Sequence, residues 1–197
     1  MPLTTYTAGQ VLTASSLNAN FSFAASAGAL KYLTGGSFTS VSAVNLAANT
    51  FTATYRNYLI NINITANSVD SNALNWRGRT SGTDNSTANY SFALGGRRYS
   101  DGNASPGGNG ASATAGRLTF MQSPMTGSVV SATFFAPQLA SVTSFVTSST
   151  GRGVGDPDAA LQGGGYFNAS TQFDALSFYP ATGTISGTYE VYGYAIS

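Results

Sequence analysis

At 197 residues, the chain has the length of one ordinary domain with a tail. Ser, Thr, Asn and Gly fill 88 of those positions and charged residues only 8%; the net charge of +1 leaves no electrostatic footprint for nucleic acid or anionic lipid. There is no His and no Cys, which excludes histidine triads, thiol nucleophiles, the usual zinc sites and any disulfide frame. A hydrophobic content of 42% with so little net charge predicts a folded chain.

The opening residues, MPLTT, lack the positive region and apolar stretch of a signal peptide. No run approaches the roughly 18 apolar residues of a membrane span. The expectation is a protein made in the cytoplasm and not inserted in a membrane. Thr13 is placed to cap a short helix over about 14–26, with Leu17, Phe21, Ala24 and Ala25 on one face. A lone helix this short is marginal in water, so it is expected to dock, on its own chain or on a partner. The Gly35-Gly36 pair then predicts a break between an arm, residues 1–34, and a body, residues 35–197.

The body reads as strand and turn. Helix formers other than Ala are scarce, with one Lys (Lys31) and one Glu (Glu190), whereas Thr, Tyr, Phe and Val abound. The clearest strand is 57–65, NYLININIT, with Tyr58, Ile60, Ile62 and Ile64 on one face and Asn57, Asn61, Asn63 and Thr65 on the other. One buried and one wet face is the pattern of an antiparallel sheet. Further strands are expected at about 38–46, 73–79, 90–94, 117–121, 129–135, 142–147, 171–179 and 184–196. Roughly eight or nine short strands without helical crossovers predict an all-β sandwich, with a jelly roll as the best single architecture.

Two glycine-rich stretches, 100–116 (SDGNASPGGNGASATAG) and 151–165 (GRGVGDPDAALQGGG), read as long loops, which are functional or mobile when they interrupt a compact domain. The last strand is apolar on both faces: Ile185, Tyr189 and Val191 on one, Tyr192, Tyr194 and Ile196 on the other. Either a central position or a neighbouring subunit would cover the second face, so Tyr192, Tyr194 and Ile196 are candidate subunit-interface residues.

The candidate chemistry is thin. The acids are Asp70, Asp84, Asp101, Asp156, Asp158, Asp174 and Glu190, and glycoside cleavage would need two of them about 5–10 Å apart. Asp156 and Asp158 bracket Pro157, which suits a turn; no alternating Asp/Asn calcium loop with a terminal Glu is present. No catalytic residue, metal or cofactor is expected. Sugar or receptor binding without cleavage fits aromatic faces beside amides and guanidinium groups. Trp76 with Arg77 and Arg79, or Arg97, Arg98 and Tyr99 beside the first glycine-rich stretch, could form such a patch, although Trp76 could equally belong to the core and the arginines could clamp a neighbouring subunit.

Three segments resemble virion proteins of tailed bacteriophages of the small tail-fibre, appendage and head-decoration type. Residues 6–21, YTAGQVLTASSLNANF, resemble the N-terminal opening of phage fibre proteins; 79–90, RTSGTDNSTANY, and 182–193, TGTISGTYEVYG, resemble elements of their β-sandwich modules. The resemblance implies a non-enzymatic structural protein of the virion, a homotrimer, held to other virion proteins by its arm through Val11, Leu12, Leu17 and Phe21. Without a long repetitive shaft, a short tail fibre touching a host surface glycan is preferred. A capsid decoration protein is the alternative and a polysaccharide-degrading tail enzyme the third reading.

Overall fold

The structure is a computed structural model that describes residues 5, 7–11, 13–18, 30–70, 72–99, 101–121, 128–153 and 156–195. The strands among them are β1 (Leu30–Val41), β2 (Val44–Asn45), β3 (Tyr55–Asn67), β4 (Asn72–Thr80) and β5 (Thr83–Asp84). Then come β6 (Tyr90–Arg98), β7 (Ala104–Ala113), β8 (Gly116–Met121) and β9 (Ser128–Phe135). The last are β10 (Thr143–Gly153), β11 (Asp156–Phe167), β12 (Ala175–Pro180) and β13 (Ile185–Ala195).

They form two antiparallel sheets. The larger has eight strands in the order β1-β13-β3-β9-β10-β11-β6-β7; the smaller runs β2-β12-β4-β5, with β8 also paired to β4. Their inner faces share one apolar core. The fold is an antiparallel β-sandwich, as the period-two patterning requires. This strand order establishes the sandwich and not the jelly roll. On β3, Tyr58, Ile60, Ile62 and Ile64 are buried while Asn61 and Asn63 face outward, the alternation legible in NYLININIT.

Three expectations are corrected. Gly35 and Gly36 do not break the chain but lie within β1, opposite Glu190 and Tyr189 of β13. A Cβ on Gly35 would stand 2.6 Å from the Tyr189 carbonyl oxygen, so this glycine permits close approach rather than a turn. The boundary drawn at 34/35 therefore cuts a strand, and residues 30–34 belong to the sheet. The two glycine-rich stretches are not loops either: 104–113 forms β7 against β6, and 156–167 forms β11 between β10 and β6. Glycine is depleted in strands, but Gly163 and Gly165 sit where a Cβ would collide with the Ala93 and Ser91 carbonyl oxygens. Trp76, finally, is 1% exposed and points between the sheets, so it takes no part in a surface patch.

Two buried tyrosines tie the strands to the connections beside them. Tyr58 Oη donates to the Thr52 carbonyl at 2.7 Å and accepts from the Thr52 amide at 2.6 Å. Tyr90 Oη donates to the Asn85 carbonyl at 2.8 Å and accepts from the Gly78 amide at 3.1 Å. Desolvation pushes the Tyr90 phenol well above its ordinary range. Tyr90→Phe leaves both backbone groups without this partner, and chemical denaturation is expected to show a loss of about 1–3 kcal/mol.

Candidate binding face

The outer face of the eight-stranded sheet is the broadest feature that the strand register assembles. Tyr32 stands opposite Tyr192, Tyr192 opposite Leu59, and Leu59 opposite Thr133. The row continues from Thr133 to Val146, then to Gly164 and to Ala93. Every member belongs to the outward parity of its strand, because the inward neighbours Tyr58, Ile60, Ala132, Phe134 and Phe145 are buried. Seven strands at the usual spacing make this row about 29 Å long.

Polar and aromatic rows flank it. On one side Glu190 stands opposite Asn61, then Ser131, Ser148 and Gln162 follow in register. On the other, Asn57 faces Phe135, Phe135 faces Ser144, and Ser144 faces Tyr166. Exposure is high for aromatic and aliphatic side chains: 55% at Tyr32, 51% at Val146 and 43% at Tyr166. The Gly163–165 run carries no side chains, and beside it lies a shallow depression of about 360 Å³ lined by Ser131, Thr133, Val146, Ser148 and Gln162.

At the β1–β13 end the face is ordered by its own contacts. The Tyr32 and Tyr192 rings meet edge to face at 5.7 Å, and Tyr192 Oη donates to Glu190 Oε2 at 2.6 Å. That bond to a carboxylate holds the Tyr192 phenol above its usual range, with desolvation and the Glu190 charge adding to it. The arrangement offers apolar ring faces beside amides, hydroxyls and one carboxylate, the side-chain set that suits a neutral, hydroxyl-rich ligand.

Of the residues singled out in the sequence, Tyr192 and Tyr194 are on this outer side of β13, with Tyr194 36% exposed. Ile196 lies outside the described residues. Tyr32, Leu59, Thr133, Val146 and Tyr166 were not singled out, since strand pairing alone aligns them. Arg97, Arg98 and Tyr99 lie at the β6–β7 turn: Arg97 Nη1 donates to the Gly102 carbonyl at 2.8 Å, Arg98 is 3.5 Å from Asp101, and Tyr99 is exposed. Hydrogen bonds from Asn103 together with Arg98 hold the Asp101 carboxyl below its ordinary range. This turn is separate from Trp76.

In the arm, residues 14–18 are helical. The Thr13 hydroxyl accepts from the Ser16 amide at 3.3 Å and the Thr13 carbonyl from the Leu17 amide at 3.0 Å, the expected cap. Val11 is 86% exposed and Leu17 half-buried, while Leu12 and Phe21 lie outside the described residues. Among the described residues, no helix is long and apolar enough to cross a membrane.

No family model matches the sequence, and no curated protein matches it. Among solved structures the chain is similar to the CBM2 module of the evolved Dit of Lactobacillus casei BL23 phage J-1. That similarity has 10% identity and a TM-score of 0.24, over 79% of this chain and 69% of that one.

The raised Tyr192 phenol yields a signed expectation. A phenol whose folded pKa is raised contributes stability that is complete below its unfolded value and is lost as pH rises through the folded one. Carbon-13 NMR of labelled tyrosine Cζ should therefore show Tyr192 ionising above 10.0. In Glu190→Gln, which removes the charge and the carboxylate acceptor, that midpoint should fall toward the ordinary value.

Proposed function

We propose that the protein is a non-enzymatic binding module of a tailed-phage virion, a short tail fibre that holds a host surface glycan across the outer face of its large sheet. The observation that supports this reading is the register-aligned row from Tyr32 to Val146 with amides and hydroxyls on both flanks. Rings and aliphatic groups cover the apolar faces of sugar rings, and the flanking rows exchange hydrogen bonds with hydroxyls. The virion setting rests on the three phage-like segments. Three acids outside this face are held by other contacts: Asp84 pairs with Arg79, Asp101 accepts within its own turn, and Asp174 Oδ2 accepts from the Ser81 amide. The reading therefore assigns Glu190 a hydrogen-bonding role and no part in cleavage.

In this reading the chain is a homotrimer, and the arm joins it to other virion proteins through Val11, Leu12, Leu17 and Phe21. Deleting residues 2–28, which spares β1, is expected to leave the far-ultraviolet circular dichroism of the body unchanged and to abolish incorporation into particles. Immunogold label on the tail of intact particles would agree with the fibre; label over the head would replace it with the decoration protein.

Glycan binding is tested by affinity electrophoresis through gels cast with purified bacterial surface polysaccharides. Retardation is expected with at least one polysaccharide, at high salt as at low, because the face is almost uncharged. Tyr32→Ala or Tyr192→Ala should each weaken it by about 1 kcal/mol, roughly fivefold. Mobility unaffected by any polysaccharide, or unchanged by both substitutions, would overturn the reading.

A further inference from the structure

Most side chains on the polar flank of the outer face can both donate and accept. Asn61, Ser131, Ser148 and Gln162 each carry a donor proton and an acceptor oxygen, so each adapts to a free or a capped hydroxyl on a ligand. The β1–β13 end is different. A carboxylate only accepts, and the single hydroxyl proton of Tyr192 is donated to Glu190 Oε2 at 2.6 Å. With that proton committed, Tyr192 Oη and both Glu190 oxygens have lone pairs alone to offer. No Lys or Arg among the described residues pairs with Glu190, which is exposed on the outer side of β13.

These acceptors sit beside the two rings. Tyr32 meets Tyr192 edge to face and is the more open of the pair. Opposite Glu190 on the edge strand stands Gly35, which leaves that side of the carboxylate uncovered. A Cβ there would lie 3.0 Å from Tyr32 Oη and 3.4 Å from the Glu190 Cα, so the phenol and the acid converge over one glycine. A sugar ring laid against Tyr32 brings its rim, where the hydroxyls project, to Glu190 and Tyr192.

We propose that this corner selects a sugar with free hydroxyls on adjoining carbons, one donating to Glu190 and one to Tyr192 Oη, and rejects that sugar when those hydroxyls are O-acetylated. The inference rests on glycan binding by the outer face and specifies the class of glycan. Tyr192 Oη and Glu190 Oε2 are close enough for hydroxyls on neighbouring carbons to reach both. An ester brings no proton; it sets its own oxygens against lone pairs, and the carboxylate loses water without gaining a donor.

The test is affinity electrophoresis of the full chain through a polysaccharide that retards it. The polymer is presented in three forms: with its hydroxyls freed by mild alkali, after chemical acetylation, and after a second alkali treatment. Acetylation should lower the apparent affinity roughly tenfold or more, because a bond to a charged acceptor is lost, and the second alkali treatment should restore it. Glu190→Gln keeps the shape, lets Tyr192 donate to the amide oxygen and turns an N–H donor toward the ligand. It should bind the free polymer roughly tenfold more weakly and bring the ratio of free to acetylated affinity close to one. Tyr192→Phe keeps the ring, removes Oη and should narrow the same ratio. Equal retardation by free and acetylated polymer would overturn the inference and leave the face standing. So would a ratio unchanged in both variants, which is the result of simple obstruction by acetyl groups. A parent chain retarded by no polysaccharide overturns the face and the inference together.

Discussion

Trp76 joins the two sheets. It rises from β4 of the smaller sheet and meets Tyr90, Phe134 and Phe145 edge to face, at 5.3, 4.8 and 5.2 Å, and those rings belong to β6, β9 and β10 of the larger one. Each such pair adds about 0.5–1.5 kcal/mol beyond the area it buries. With no cysteine to staple the layers, this aromatic cluster and the apolar faces around it carry the inter-sheet contact. Tyr90 extends the cluster to Phe167 of β11 at 4.8 Å, and Phe167 extends it to Phe173 at 5.1 Å. The same chain of rings thus reaches from the middle of the sandwich to the connection before β12.

Because the large rings point inward, the outward positions of the eight-stranded sheet are released from packing duty. Alternation is strict along β9 and β10, where Val130, Ala132, Phe134 and Phe145 are buried and Ser131, Thr133, Ser144, Val146 and Ser148 face outward. The outer face is therefore the complement of the core: any register slip of one residue would put the isoleucines of β3 in water and its asparagines inside. The row from Tyr32 to Val146 is placed by the same strand register that buries the core. That is the property a preformed binding platform needs, since ordering a mobile surface would oppose association.

Legibility in the sequence followed the period. The β3 strand declared itself because every second residue from Tyr58 to Ile64 is apolar, and β13 did so on both faces. Both β7 and β11 were invisible because glycine has no side chain to report a period, and its usual meaning is a turn. Only the neighbouring backbones, which leave no room for a Cβ at Gly163 or Gly165, explain glycine there. The face was half legible in the same sense. Tyr192 and Tyr194 could be read as an outward apolar pair, but nothing in the order of residues says that Tyr32, Leu59 and Val146, drawn from strands far apart in the chain, align with them. Trp76 and Arg97 suggested a patch on composition alone; pairing sends one to the core and the other to a turn.

The composition acquires a physical sense in the light of this face. A chain with 8% charged residues has little long-range field, so encounter with a ligand is not steered by charge and should not depend on ionic strength. Under the proposed function, the outer face compensates locally: it carries Glu190, with one carboxylate oxygen already accepting from Tyr192. A carboxylate held in this way strengthens a hydroxyl's hydrogen bond through its charge, while the neutral amides and hydroxyls around it add none of the repulsion that a cluster of acids would. Selectivity then follows from the geometry of donors on the ligand rather than from its net charge, which is the discrimination that neutral sugars, alike in charge and differing in hydroxyl placement, demand.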